Sequence, residues 1–385
     1  MKQLLKKYIP LPALILAALS LAIQSCEDKD VGGVPVIENV RLLDPTKADS
    51  SIKAGLPGVQ IVIQGQNFSG LQKVYFNDFE AGFNSALNSD RNIIITIPGE
   101  APTKAVQPDV SNKVRVVTLG GESVYDFVLT SPSPQIWALH NEFVMPGSQL
   151  AIYGNYFYNI DKVKLGATNL EIVSRTVNRL VVKLPAVITT DYIDVEGEFG
   201  VAKSSHKLND PSGNLINFDI PATSWGSAVC WGAAEITDTL EPISGKYVRI
   251  KGVDLPSTSW QDSWAIGTCG FDFGLAPGAA RDKLLKFEHN SREAWKTGQL
   301  NIEFTAGNAK YLYQFKPWNN PLYSATGYKT EGWQTETIEL SEFLAGSSTI
   351  PDVSKISDVT IWFTTPDGGL EKFDASFDNF RIVNK

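Results

Sequence analysis

Ser257-Thr258-Ser259-Trp260-Gln261-Asp262-Ser263-Trp264 sets two tryptophans among hydroxyl, amide and carboxylate side chains. No apolar period surrounds them, so the stretch does not read as the core face of a helix. It follows a strand-like run, Tyr247 to Val253, and the punctuating Pro256. Indoles held on such a loop expose costly apolar area, which usually marks a binding surface. The flat apolar face of a pyranose ring packs on an indole, while its hydroxyls need polar partners nearby. The alternative is that one or both rings fold back and cap the core, since Trp is highly buried on average.

Other aromatic residues extend the candidate set. Trp225 and Trp231 flank Gly226-Ser227 in a segment with few core signals. Trp318 lies in the amide-rich turn Lys316-Pro317-Trp318-Asn319-Asn320-Pro321, with Tyr323 just beyond it. The order of expectation is Trp260, Trp264, Trp231, Trp318, Trp225, then Tyr323. Trp333 precedes a regular strand and reads as structural, as does Trp295, and Trp362 fits either face of its strand.

Carboxylates offer a second chemistry. Asp194-Val195-Glu196-Gly197-Glu198 puts three acids on one face of a strand. Paired carboxylates about 5 Å apart serve retaining glycosidases. Such enzymes need a large sandwich with an aromatic cleft. This unit is small, and its acids depart from the Glu-x-Asp-x-x-Glu order of some jelly-roll glycosidases, so a solvated strand face is the reading. Asp219 and Asp378 sit in the first and last strands of the C-terminal region. A structural Ca²⁺ between them is a weak candidate beside a plain pair of strand-end acids. His140, His206 and His289 form no metal-binding or catalytic pattern. No catalytic residue, metal ligand set or cofactor is assigned.

Several elements must position these residues. The chain has 385 residues, 43% of them hydrophobic and 20% charged, which suits two to four globular domains. Lys2, Lys6 and Lys7 precede an apolar run from about Leu11 to Ile23, too short to span a bilayer comfortably, so residues 1–25 read as a secretory signal. Its end, Ile23-Gln24-Ser25-Cys26, resembles a bacterial lipobox. That resemblance implies cleavage before Cys26 and lipidation of its thiol and amine, anchoring the chain without spanning. Residues 26–33 form an acidic tether. Its Glu27-Asp28-Lys29-Asp30 resembles the surface-export signal of some Gram-negative lipoproteins. Removing three lysines takes the formal charge from −8 to −11, which argues against nucleic acid as a partner. Cys230 and Cys269 remain as either a disulfide or two buried thiols.

An internal repeat organises the first half. Pro57-Gly58-Val59-Gln60-Ile61-Val62-Ile63-Gln64-Gly65-Gln66-Asn67-Phe68 matches Pro146-Gly147-Ser148-Gln149-Leu150-Ala151-Ile152-Tyr153-Gly154-Asn155-Tyr156-Phe157. The flanks agree: Pro35-Val36-Ile37 with Pro134-Gln135-Ile136, and the run Ile93 to Pro98 with Leu180 to Pro185. Alternating strands broken by Gly and Pro predict two small β-sandwiches, residues 34–130 and 131–210. The pattern Pro-Gly-x-x-ϕ-x-ϕ-x-Gly-x-x-Phe followed by Lys-Val resembles the IPT/TIG family of immunoglobulin-like domains. In similar proteins these act as rigid spacers, and the Ser131-Pro132-Ser133-Pro134 joint fits a stiff linker.

Residues 211–385 read as a larger jelly-roll-like sandwich of eight strands. Asn217-Phe218-Asp219, Gly332-Trp333-Gln334-Thr335 and Phe377-Asp378-Asn379-Phe380-Arg381-Ile382, with the domain order, resemble the cell-surface glycan-binding lipoproteins of polysaccharide utilisation systems. The fold expectation is therefore all-β throughout. The resemblance implies a non-catalytic protein that binds a neutral plant β-glucan such as xyloglucan. It also implies an outward-facing site on the outer membrane, beside an importer and surface glycosidases. An adhesin for a protein partner is the alternative, and a glycoside hydrolase is third.

Overall fold

The structure, a computed structural model, describes residues 32–216, 218–219, 229–232, 234–257 and 264–385. Among these the regular structure is β-strand and short 3-10 turn, with no α-helix. No described helix is long and apolar enough to cross a membrane. The signal, the lipobox Cys26 and its acidic residues lie outside the described residues. The chain divides into two compact units, Met1–Pro132 and Ser133–Lys385.

The first unit is a sandwich. A three-stranded sheet orders Val36–Leu42, Gln60–Gln66 and Asn92–Thr96, and a four-stranded sheet orders Phe79–Ala81, Leu71–Phe76, Lys113–Thr118 and Gly121–Asp126. Ile61, Ile63, Phe68, Val74, Phe76 and Val116 fill the space between them. Val62 is buried as well, because its strand is central in its sheet.

The repeat glycines have a steric cause. A Cβ on Gly65 would lie 1.8 Å from the Val36 carbonyl oxygen and 2.7 Å from Phe68 Cζ. On Gly154 it would meet the Gln135 oxygen at 1.9 Å and Phe157 Cζ at 2.3 Å. The repeat is thus one backbone crossing used twice, a strand passing close under its neighbour with a phenyl ring beneath. Asn67 and Tyr156 take the same left-handed turn, at φ 61° and 58°.

In the second unit, residues 135–203 supply a seven-stranded arrangement that begins at Gln135–Leu139 and ends at Gly200–Lys203. Beyond it two further sheets face each other. One orders Glu235–Thr237, Tyr247–Leu255, Leu370–Asn384, Lys283–Ser291 and Gln334–Glu339, with Asn214–Ile216 pairing the long last strand. The other orders Trp231–Gly232, Ala265–Gly267, Ile356–Thr364, Gln299–Ala306, Ala309–Phe315, Leu344–Ala345 and Ser348–Thr349. The two sheets hold thirteen strands among the described residues, where the sequence reading expects eight, and the first of them is described only as Asn214–Ile216. Between the sheets lies an aromatic core that includes Phe287, Phe304, Phe363, Phe377 and Trp295.

The second unit is joined internally by buried charge. Glu142, from the segment after Gln135–Leu139, pairs with Lys286 and, at 2.8 Å, with Arg381. Arg381 also binds Glu288 at 2.9 Å, and Glu288 is fully buried. Burial alone would raise the Glu142 carboxyl, but Lys286 and Arg381 outweigh it and hold it below its usual range. Phe143 inserts beside Ile243, Tyr247 and Trp333. The backbone joins as well, with the Thr335 N–H donating to the His140 carbonyl at 3.0 Å.

Candidate functional site

The sheet beginning at Trp231–Gly232 has one face in the core and one away from it. Val359, Ile361 and Phe363 point inward with Leu300, Ile302, Phe304 and Ile266. Strand alternation then places Thr360, Trp362 and Thr364 on the opposite face. The register carries that face across the sheet. Trp231 pairs with Gly267, Gly267 with Thr360, and Thr360 with Glu303. One row along, Ala265 pairs with Trp362, Trp362 with Asn301, and Asn301 with Gln314.

Two indoles therefore share one surface, each next to a residue with little or no side chain. The small neighbour is required at Trp231. A Cβ on Gly267 would come within 2.3 Å of its Cε2 and Cζ2 atoms, so the indole occupies the space a side chain would take. Amides lie alongside. Asn301 donates to the Thr364 hydroxyl at 2.8 Å and to the Trp362 carbonyl at 3.3 Å, and Gln299 donates to Asn301 Oδ1 at 3.0 Å. The acids of this face are engaged within the protein: Glu303 pairs with Lys310 at 2.8 Å, and Asp358 accepts the Gly270 N–H at 2.6 Å.

Trp231 sits on an edge strand of two residues, too short to hold itself. The Cys230–Cys269 disulfide, with Cα atoms 5.9 Å apart, clamps that strand to the one beside it. The Cys230 N–H also donates to the Gly267 carbonyl at 3.0 Å. Of the two states open for these cysteines in the sequence, the structure contains the disulfide.

The remaining candidates separate. Trp264 is a correction: it is 7% exposed and belongs to the core, because it leads into the central strand Ala265–Gly267 and its ring turns inward with Ile266. Trp260 and Trp225 lie outside the described residues. Trp318 is partly buried against the core and donates its indole N–H to the Gly298 carbonyl at 2.7 Å, beside the end of Gln299–Ala306. Tyr323 is half-buried with its ring edge-on to Tyr328 at 5.0 Å. Trp295 and Trp333 are buried, in agreement with a structural reading. Trp362 is the residue that sequence reasoning left undecided, and the signal that places it is the inward run Val359, Ile361, Phe363.

The acids are accounted for without catalysis. Glu196 pairs with Lys164 at 2.5 Å, Asp194 with Lys203 at 3.9 Å, and Glu198 accepts from Asn159 at 2.8 Å. Asp378 is fully buried and accepts from the Ser244 hydroxyl and the Asn379 backbone N–H. Burial pushes its carboxyl well up, against those donors, and Asp219 adds to the shift. Asp219 in turn accepts the Lys246 N–H at 2.7 Å. Among the described residues no three His, Cys, Asp or Glu side chains group to hold a metal.

Comparison with known proteins places this geometry. Residues 208–384 match the family model of the surface glycan-binding protein B xyloglucan binding domain. An IPT/TIG domain-containing protein of Bacteroides ovatus is 31% identical over 209 residues, 50% of this chain and 42% of that protein. The match thus spans less than half the length of that curated relative. The surface glycan-binding protein PbSGBP-B from Prevotella bryantii superposes with a TM-score of 0.70 at 20% identity, over 92% of this chain and 99% of that one. SGBP-B from a complex xyloglucan utilization locus in Bacteroides uniformis gives 0.52 at 19% identity, over 91% and 99%. At these identities the superpositions establish the fold, and they agree with the all-β sandwich reading. Over residues 208–384 this chain is therefore similar to the surface glycan-binding protein B xyloglucan binding domain.

Proposed function

We propose that the chain captures a neutral plant β-glucan, of the xyloglucan class, without altering it chemically. The observation that carries this is the placement of Trp231 and Trp362 on one sheet face, beside Gly267 and Ala265, with Gln299, Gln314 and Thr360 around them. A β-linked glucan is a flat ribbon with apolar ring faces and equatorial hydroxyls. Indoles meet the faces, and amides meet the hydroxyls. If one stacked sugar covers ~100 Å² of an indole, burial contributes on the order of 2.5 kcal/mol. A few such contacts against lost translational freedom give a Kd of roughly micromolar to millimolar.

Binding without catalysis is favoured by the carboxylates of this face. Glu303 is tied to Lys310, and Asp358 receives backbone and side-chain donors. Trp225 and Trp260 immediately precede, in sequence, the strands that carry Trp231 and Ala265. They remain candidates for the same platform, with Trp318 and Tyr323 behind them. A lipid on Cys26 would hold the chain at the outer membrane, with the N-terminal sandwiches as spacer and an importer and glycosidases as recipients. Cys26→Ala should release the protein from the membrane fraction, and full retention would remove the anchor from this reading. The binding face itself is tested by affinity electrophoresis on xyloglucan with Trp231→Ala and Trp362→Ala. Each should lose at least about tenfold in affinity, by analogy with base stacking on aromatic side chains. Unchanged migration of both variants would place the site elsewhere.

A further inference from the structure

The ninth tryptophan stands apart from all the others. Trp137, in Gln135–Leu139, is 62% exposed. It is the extra residue of a β-bulge. Ile136 pairs with Gly154 and Ala138 with Tyr153, leaving Trp137 unpaired between them. Bulges re-aim a side chain. The first copy of the repeat has the same bulge at the same place, where Ile37 pairs with Gly65 and Asn39 with Gln64. There the extra residue is Glu38, a solvated carboxylate that accepts from Gln66 at 2.5 Å. The fold accepts a charged residue at this position, so the indole in the second copy answers no folding requirement.

Trp137 borders a cleft of about 340 Å³ whose other wall is the edge strand Gln334–Glu339. That volume is near the lower end for small-ligand sites. Its floor is the ion pair of Glu142 and Lys286, with the His206 ring beside it, Nδ1 3.9 Å from Glu142. Exposed hydroxyls of Ser205 and Thr337 stand on its rim. Thr337 points outward because Ile338 next to it faces the core. One open indole, hydroxyl partners and an ion-paired floor suit a neutral sugar ring. They do not suit an anionic or cationic group.

We propose that Trp137 is a second sugar-stacking platform, holding one pyranose ring of the same glycan in the cleft between its strand and Gln334–Glu339. The proposal rests on the glycan-binding reading above and extends it to residues outside the C-terminal domain. A second subsite weighs little for a short ligand already held at Trp231 and Trp362. For a polymer, which presents many rings, it adds avidity.

Calorimetry on the full mature chain separates the two, with xyloglucan polymer and a short xyloglucan oligosaccharide as probes. Trp137→Ala should weaken polymer binding by about three- to tenfold. It should leave oligosaccharide binding and the thermal midpoint unchanged, and Trp137→Phe should restore part of the loss. Polymer affinity equal to wild type in Trp137→Ala overturns the second platform and leaves the first standing. An equal loss for both ligands with a lowered midpoint shows the ring acting through the fold, and also overturns it. If the wild-type chain binds neither probe, both readings fail together.

Discussion

In the proposed platform the half-buried Trp231 and Trp362 would act through the apolar area they leave open, and their small neighbours decide whether that area is flat. Gly267 is as important as the ring above it, because any side chain there would displace Trp231. Other residues of the domain titrate unusually for reasons of burial. Glu336 faces inward at the sheet edge near Tyr313 and Tyr328, and burial pushes its carboxyl up to about 7. A carboxyl raised in the folded state stabilises the protein fully below its unfolded value, near 4.5, and that contribution is lost as pH rises through about 7. Glu336→Gln should therefore be neutral near pH 4.5 and stabilising at pH 8, by on the order of 1–3 kcal/mol. Thermal midpoints across that range check it, and a pH-independent difference would show the group is not buried as described. Residue roles were the least legible part of the sequence. Trp264 and Trp260 look alike in a polar loop, yet Trp264 abuts a fully buried strand and joins the core. Exposure depends on which face a strand end turns, and the two residues before Ala265 carry no alternation long enough to fix it.

Strands of ordinary length were legible because alternation shows over five or more residues, as in Ile356–Thr364 with Val359, Ile361 and Phe363 inward. Two-residue edge strands such as Trp231–Gly232 carry no period, so they escape any such reading. That strand depends on its disulfide instead. The bridge closes a loop with a sequence separation of 39, for which chain entropy suggests roughly 4 kcal/mol. Local pairing at Trp231 matters more for function. Cys230→Ser should lower glycan affinity by about three- to tenfold, since the platform must then be ordered on binding. Calorimetry under non-reducing conditions measures this, and unchanged affinity would mean the strand is held without the bridge. The joint inside the second unit is likewise invisible to periodicity. Glu142, Lys286, Glu288 and Arg381 lie far apart in sequence and meet only in the fold. Glu142→Ala leaves Lys286 and Arg381 short of a counter-charge in a buried place. The expected cost is about 3–5 kcal/mol, read by urea unfolding of the whole chain. A loss below ~1 kcal/mol would show that water replaces the carboxylate.

At the scale of the whole chain, the repeat, the all-β class and the family resemblance of the C-terminal domain were all readable from short motifs. Those motifs record backbone demands: Gly65 and Gly154 at a close crossing, Asn67 and Tyr156 at a left-handed turn. The buried joint adds something the motifs do not carry. Residues 133–385 form one compact unit, so the C-terminal domain shares its charged core with the sandwich before it. The proposed site lays a neutral glycan on the face of Trp231 and Trp362. The most direct measurement is calorimetric titration of xyloglucan into the Trp231→Ala/Trp362→Ala double variant, beside wild type and Glu196→Ala. The double variant should give no measurable heat of binding and a thermal midpoint within a few degrees of wild type, and Glu196→Ala should bind fully. Wild-type affinity in a folded double variant would contradict it.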